Sequence, residues 1–472
     1  MPDQNSSLTD FNLTQPVKNL VRRAPVFVAS NATVAEAAQQ MQSARIGSVL
    51  VATDPPGILT DRDLRGRVVA ASRGPATPVT QVMTRPLITI ASDSPAFGAL
   101  RLMIDANIHH LPLLEEGKIV GVISATDLLA QQANHPIYLR GLIDRLEDTR
   151  AIGDYAGRIA DLAKTLFEAG LGALQISQIV SGLNDTLVKR LVQLAEQALG
   201  RAPTPYAWIV FGSEGRTEQT LLTDQDNALI FTAATNECLS YFGALSKRVV
   251  DGLIQAGFPP CPGGFMATNW YKPLAEWREL FDKWIRLPEP QALLDAAIFF
   301  DFRAVAGSLS LEPLEKIITS AQNEKRFLAH MLNGALAFHP PLGFFNRLRS
   351  EGGKIDIKKS GIAPIVGLAR VAALGVGSLE RSTLERLVTA GQSGALLNQD
   401  DASALAEIFK FFLQLRLRQQ LATLQANRPL DHNIHLNALS TLERRHLKEG
   451  FVMIRRIQEG IRAWCSWEIV PV

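Results

Sequence analysis

IVFGSEGRTEQTLLTDQDNALIF, residues 209–231, sets two apolar runs on either side of a polar excursion. The pattern predicts a buried strand over Trp208 to Phe211, a tight Gly-Ser turn, and a second strand from Asp224 to Phe231. Residues two apart on a strand point to one face, so the carboxylates of Asp224 and Asp226 aim at one spot. Two carboxylates ~5 Å apart repel by about 3 kcal/mol at an effective dielectric of ~20. A divalent cation or a proton between them removes that cost. Mg²⁺ suits the pair, because it takes one or two carboxylates together with substrate phosphates rather than a full protein cage.

Upstream, Gly212-Ser213-Glu214-Gly215-Arg216 supplies what a triphosphate needs. Gly212 and Gly215 permit a turn and close backbone approach. Free N–H groups and the Ser213 hydroxyl can hold phosphate oxygens, and Arg216 can neutralise charge as a bidentate fork. A Gly-Ser turn followed by Asp-x-Asp resembles the signature of the DNA polymerase β-type nucleotidyltransferase superfamily. The closer resemblance is to a bacterial CBS-domain nucleotidyltransferase family related to the protein-PII uridylyltransferase. Its pattern Gly-Ser-x-Gly-Arg-x-Glu-Gln, then Thr-Asp-Gln-Asp-Asn-Ala, stands here almost unchanged at Gly212 to Ala228.

The chain has 472 residues, room for about three domains. A net charge of +2 gives no electrostatic case for nucleic-acid binding. Cys238, Cys261 and Cys465 lack a Cys-x-x-Cys spacing, which argues against a disulfide framework or zinc cluster and suits a reducing cytoplasm. The polar N-terminus does not read as a signal peptide. The longest apolar run, Ile362 to Leu379, is broken by Arg370 and several glycines, so no membrane span is expected.

Residues 1–20 read as a flexible tail. From 21 to 133 the chain repeats itself, as copies 21–75 and 79–133. Gly57-Ile58-Leu59-Thr60-Asp61-Arg62-Asp63 answers to Gly121-Val122-Ile123-Ser124-Ala125-Thr126-Asp127, and amphipathic helices are predicted over Val34 to Ala44 and Ala96 to Ala106. The repeat resembles a tandem pair of CBS domains, which close each copy with Gly-h-h-Thr/Ser-x-x-Asp. That resemblance implies an adenine nucleotide between the repeats, with Thr60 and Ser124 on phosphate and Asp63 and Asp127 on ribose. Plain helix capping by the same residues is equally open, and the two roles can coexist. Arg62, Arg65 and Arg67 favour a phosphate ligand at the first site. His109-His110 reads as a strand-edge or packed pair.

Residues 134–200 read as a helical linker, with stripes such as Ile159-Leu162-Leu166 and Leu187-Leu191-Leu194. Residues 201–289 form the nucleotidyltransferase domain, and 290–472 read as helical to the end, a substrate-binding domain by resemblance. The superfamily's third carboxylate is missing from Cys261 to Asn269. Asn269 could serve metal or sugar, or simply a turn. Asp301 is the alternative carboxylate, although an ion pair with Arg303 or another arginine is the preferred reading. Trp270, Trp277 and Trp284, seven apart, read as one packed helical face. Lys354, Lys358 and Lys359 could face a triphosphate or solvent. Arg416, Arg418, Arg444 and Arg445 would make interhelix salt bridges or a basic rim.

These readings converge on a multidomain α+β protein with a tandem CBS pair, a helical linker, a mixed-sheet nucleotidyltransferase domain and a C-terminal helical bundle. The expected activity is Mg²⁺-dependent transfer of a nucleoside monophosphate from UTP or ATP to an acceptor, by resemblance a protein hydroxyl such as that of a PII-type signal protein. Asp224 and Asp226 would hold the metal, Gly212 and Ser213 the phosphates, and Arg216 the developing charge. The alternative is a non-catalytic adenine-nucleotide-sensing scaffold. A cytoplasmic homodimer through the CBS pair, without nucleic-acid or membrane partners, completes the expectation.

Overall fold

The computed structural model describes residues 13–21, 24–129, 136–221, 224–426 and 428–468. The chain divides into two compact units, residues 1–141 with 168–171, and residues 142–167 with 172–472.

The first unit is built from the duplicated sequence. Copy one runs β1 (Phe27–Ala29), α1 (Val34–Ala44), β2 (Ser48–Ala52), β3 (Gly57–Thr60) and the short α2 (Asp61–Asp63). Copy two runs β4 (Ile90–Ala91), α3 (Ala96–Ala106), β5 (His110–Glu115), β6 (Lys118–Ser124) and α4 (Ala125–Leu129). Each copy pairs its first strand parallel to the second and its second antiparallel to the third. Helix α1 begins at a capping box: Glu36 N–H donates to the Thr33 hydroxyl, and Thr33 N–H to the Glu36 carboxylate. Its inward residues Val34, Ala37 and Met41 pack with Val49, Val51 and Leu59. The expected tail is corrected from Leu13 onward. Leu13 and Val17 are buried, and Val17 and Lys18 N–H groups donate to the carbonyls of Ser94 and Ser92. Two apolar side chains short of the predicted domain edge, Leu13 and Val17, suffice to pin the segment.

After α5 (Pro136–Asp144), the second unit opens with α6 (Tyr155–Glu168) and α7 (Ala173–Leu199). The expected linker is part of this unit's core: Ile176, Val180, Leu183, Leu187 and Leu191 on α7 are all buried. A four-stranded sheet follows in the order β10-β7-β8-β9, from β7 (Tyr206–Val210), β8 (Asn227–Phe231), β9 (Tyr271–Pro273) and β10 (Arg303–Gly307). Strands β10, β7 and β8 are antiparallel neighbours, and β9 joins β8 in parallel. Between them lie α8 (Gly212–Gly215), α9 (Asn236–Gln255), α10 (Leu274–Arg286) and α11 (Pro290–Phe299).

The sequence pattern carried helix through Gly307, and the structure corrects this. Residues 303–307 are strand because the edge of β7 offers open hydrogen-bonding groups to the short run Arg-Ala-Val-Ala-Gly. At Gly307 (φ +92°) a Cβ would come within 2.1 Å of the Tyr206 carbonyl oxygen, so the pairing depends on glycine. Trp277 and Trp284 share a face of α10, while Trp270 precedes β9. All three ring systems nonetheless meet Phe299, at 4.6 to 5.4 Å between centroids. They are core.

The remainder comprises α12 (Glu312–Ser320), α13 (Lys325–Leu336), β11 (Lys354–Asp356), α14 (Ala363–Gly375), α15 (Thr383–Ser393), α16 (Gln399–Gln425), β12 (Asn433–His435) and α17 (Thr441–Glu468). Strands β11 and β12 form an antiparallel ribbon, which also departs from the all-helical expectation. Among the described residues, no helix is long and apolar enough to cross a membrane.

Candidate functional site

Strand β8 begins at Asn227, three residues later than expected, so Asp224 and Asp226 lie on its extended lead-in. The alternation persists there. Gln225 turns inward, its side-chain amide donating to the Phe258 carbonyl, and Asn227 accepts from Ala267 N–H at 2.8 Å. Asp224 and Asp226 are therefore left on the opposite face. Their carboxylate oxygens and the Cys261 sulfur all lie within 4.8 Å of one another. Phe211 N–H donates to the Asp226 carbonyl and ties this lead-in to the Gly-Ser turn.

Gly212 occupies the left-handed region (φ +58°), and a Cβ there would sit 2.9 Å from Asp226 Oδ2. Gly215 is equally constrained, since its Cβ would meet the Asp301 carbonyl oxygen at 2.0 Å. The two glycines thus bring the turn against both acidic segments. Ser213, beside Gly212, is half-buried on the same turn.

Burial, more than neighbouring charge, raises Asp226 and Glu214. Asp226 is pushed up to about 7, first by burial and then by Asp224, with Cys261, Lys358 and Arg216 pulling the other way. Glu214 is pushed up to about 8 by burial, then by Asp185 and Asp226. The sequence reading passed over Glu214, although its place inside the Gly-Ser-x-Gly-Arg string puts it beside the pair. The Cys261 thiol is also raised, first by burial, so it stays protonated and hydrogen-bonded to Asp226.

Arg216 does not face the turn as a free fork. Its Nε reaches Glu218 at 2.7 Å and its Nη1 reaches Asp301 at 2.5 Å. Asp301, fully buried, also receives Arg370 at 2.6 Å and Arg386 at 2.7 Å. Burial alone would raise this carboxyl, but Arg370, Arg386 and Arg216 outweigh it and hold it well below the usual carboxylate range. Glu218 further accepts the Thr383 hydroxyl and N–H at the start of α15. So Asp301 is the hub of a buried ion-pair network, as the preferred reading had it, but with three other arginines. Arg303 pairs instead with Asp185. Asn269 is a brace: its Nδ2 donates to Gly264 O at 2.9 Å and closes the Cys261–Asn269 loop. Arg418 pairs with Glu443 across α16 and α17, and Arg445 with Glu449.

In the first unit, Thr60 and Asp63 form a reciprocal capping box, with Thr60 Oγ1 donating to Asp63 Oδ2 at 2.7 Å. Ser124 and Asp127 repeat it at 2.5 Å. Each box faces a cavity. One, about 370 Å³, is lined by Thr60, Asp63, Arg62, Arg65 and Arg67, and the other, about 470 Å³, by Ser124, Asp127, Arg45 and Asp61. His109 and His110 line both, and burial lowers the pKa of His110. Asp63 has its second oxygen engaged as well, by Thr84 and Arg67. Arg67 is further held by the carbonyls of Val82 and Met83.

A small mixed sheet with a glycine turn opposed to two carboxylates, in a chain that also carries a duplicated strand-helix-strand unit, defines the class as nucleotidyltransferase-type with a CBS pair. The chain belongs to the DUF294 family. Residues 157–291 match the family described as "Putative nucleotidyltransferase DUF294" and residues 325–463 match "Putative nucleotidyltransferase substrate binding domain". Residues 17–70 and 79–134 match the CBS domain.

Among curated relatives, the CBS domain-containing protein CBSCBSPB2 of Arabidopsis thaliana is 33% identical over 27% of this chain and 26% of its own length. The CBS domain-containing protein YhcV of Bacillus subtilis is 31% identical over 25% of this chain and 86% of its own. The matched stretch spans only 26%, 60% and 24% of the first three relatives. Similar solved structures include an uncharacterized conserved protein of Pyrococcus horikoshii (33% identity, 25% of this chain, 92% of that one, TM-score 0.24). Another is a CBS domain protein of Pyrobaculum aerophilum complexed with AMP (26% identity, 24% and 88%, TM-score 0.22).

Proposed function

We propose that the chain is a Mg²⁺-dependent nucleotidyltransferase that moves a nucleoside monophosphate from UTP or ATP to an acceptor hydroxyl, breaking the α–β phosphoanhydride bond and releasing pyrophosphate, the acceptor by family analogy being that of a PII-type signal protein. The observation that carries this reading is the convergence of Asp224, Asp226 and Cys261 against the Gly212 turn. The donor set fits a hard cation: two carboxylates supply oxygens, and the hydrogen bond from the Cys261 thiol to Asp226 would give way to the metal. Bound there, the metal would supply Lewis-acid stabilisation of charge on the transferring phosphoryl group. Gly212 and Ser213 would hold phosphate oxygens. In this reading Glu214, raised to about 8, would take up the proton of the acceptor hydroxyl.

Incubation with labelled UTP or ATP, Mg²⁺ and cell extract tests the reading. Label transfer that disappears in Asp224→Asn is the expected result. Tight nucleotide binding with no transfer would instead favour the non-catalytic sensor.

The same reading places an adenine nucleotide in the two cavities of the CBS pair, where it regulates transfer, and joins two copies through that pair. Asp63→Ala and Asp127→Ala are expected to weaken AMP binding at least tenfold by calorimetry. Asp63→Ala should also cost about 1 kcal/mol as a lost cap. Unchanged AMP affinity in both variants would remove Asp63 and Asp127 from the ligand site.

A further inference from the structure

Arg416 is the exception among the buried arginines of the second unit. Arg216, Arg370 and Arg386 all reach Asp301. Arg416 is 4% exposed, yet among the described residues it has no carboxylate within ion-pair distance; Asp356 acts on it only from further off. Its Nε has no hydrogen-bond partner, and its Nη2 lies 3.5 Å from the His432 ring. Burial first, then Arg416 and Lys358, lowers His432 to about 4, so that ring is neutral and offers no counter-charge. A desolvated guanidinium with only a distant counter-charge is costly to keep unless something outside the chain matches it.

Its position says what that is. Arg416 and Gln420 are one turn apart on α16 and share a face. Gln420 Nε2 donates to Leu221 O at 3.1 Å. Leu221 lies on the segment between Arg216 and Asp224, so this face of α16 rests on the loop that carries the acidic pair. Lys358, just after β11, approaches from the same side. Although much of its side chain is open to solvent, burial and then Arg416 lower its pKa, against the pull of Asp224 and Asp226. An anion between Arg416 and the acidic pair would meet a guanidinium, an ammonium and the metal seat at once.

We propose that Arg416, together with Lys358, is the seat for the polyphosphate of the nucleoside triphosphate donor, a role closed to Arg216 by Glu218 and Asp301. The proposal rests on the nucleotidyltransferase reading. A planar guanidinium binds phosphate oxygens bidentately, and delivery from α16 makes the C-terminal helices part of the donor site.

The test measures Mg²⁺-dependent binding of inorganic triphosphate to the full chain by calorimetry, with ligand-free melting in parallel. Arg416→Ala is expected to weaken that binding at least tenfold and Arg416→Lys less, because lysine keeps charge without the fork. The ligand-free melting temperature of Arg416→Ala should be unchanged or higher, since a buried charge with only a distant counter-charge has gone. Wild-type affinity in Arg416→Ala, or a lower melting temperature, would overturn the proposal while leaving the transferase reading intact. If the wild-type protein itself shows no Mg²⁺-dependent triphosphate binding, both fall.

Discussion

Asp226→Asn is expected to reduce nucleotidyl transfer by about three orders of magnitude, the scale on which losing one preorganised electrostatic contact is felt. The same variant should gain stability in metal-free buffer. Asp226 is raised from 3.8 to about 7 by burial and by Asp224, so between those values the folded chain keeps a proton that the unfolded chain has released. Stability must then fall as pH rises across that window, with a limiting slope of about 1.4 kcal/mol per pH unit. Glu214, raised to about 8, acts in the same direction and extends the window upward. In EDTA, the melting temperature should therefore decline between pH 5 and pH 8, and Mg²⁺ should restore more at pH 8 than at pH 5. Asp226→Asn should flatten the decline. A full-activity Asp226→Asn enzyme, or a melting temperature independent of pH in EDTA, would contradict this account of the acidic pair.

The largest stability effect belongs to Asp301→Asn. The substitution keeps volume but removes the charge that three arginines converge on. Breaking a buried pair in this way costs about 3–5 kcal/mol, because the remaining charges stay buried without a partner. That is a large share of the ~5–15 kcal/mol that a folded chain has. The midpoint of urea unfolding should move accordingly. If Asp301 were instead the third catalytic carboxylate, Asp301→Asn would leave the midpoint in place and remove transfer alone. The two outcomes are cleanly separated by one denaturation curve and one assay.

Local signals in this sequence were strong where structure is local. The repeat motif, the helices Val34–Ala44 and Ala96–Ala106, and the opposition of Gly212 to an Asp-x-Asp pair are all set within short stretches, the longest of them running from Gly212 to Asp226. What stayed hidden depends on distant partners. Arg216 reads as a phosphate ligand until Asp301, 85 residues on, and Arg370 and Arg386 beyond it, are seen to enclose it. Residues 303–307 have a composition that suits either helix or strand, and the open edge of β7 decides. Glu214 and Arg416 carry no pattern of their own. Only their burial, and for Arg416 the absence of a carboxylate within ion-pair distance among the described residues, sets them apart. Residues 13–17 offer too few apolar positions for any periodicity, yet two of them are enough to seat the segment.

Strand β10 has a practical bearing on how the protein can be divided. The matched nucleotidyltransferase segment stops at residue 291, twelve residues before the strand that completes its sheet begins at Arg303. A recombinant fragment cut at that limit would expose the flank of Tyr206–Val210, a row of backbone groups between wholly apolar side chains. Such a flank invites other copies to add on, and precipitation rather than a working half-enzyme is the outcome to plan for. Dissection should therefore begin downstream of Gly307, and even then the fragment would leave behind the guanidiniums of Arg370 and Arg386 that neutralise Asp301.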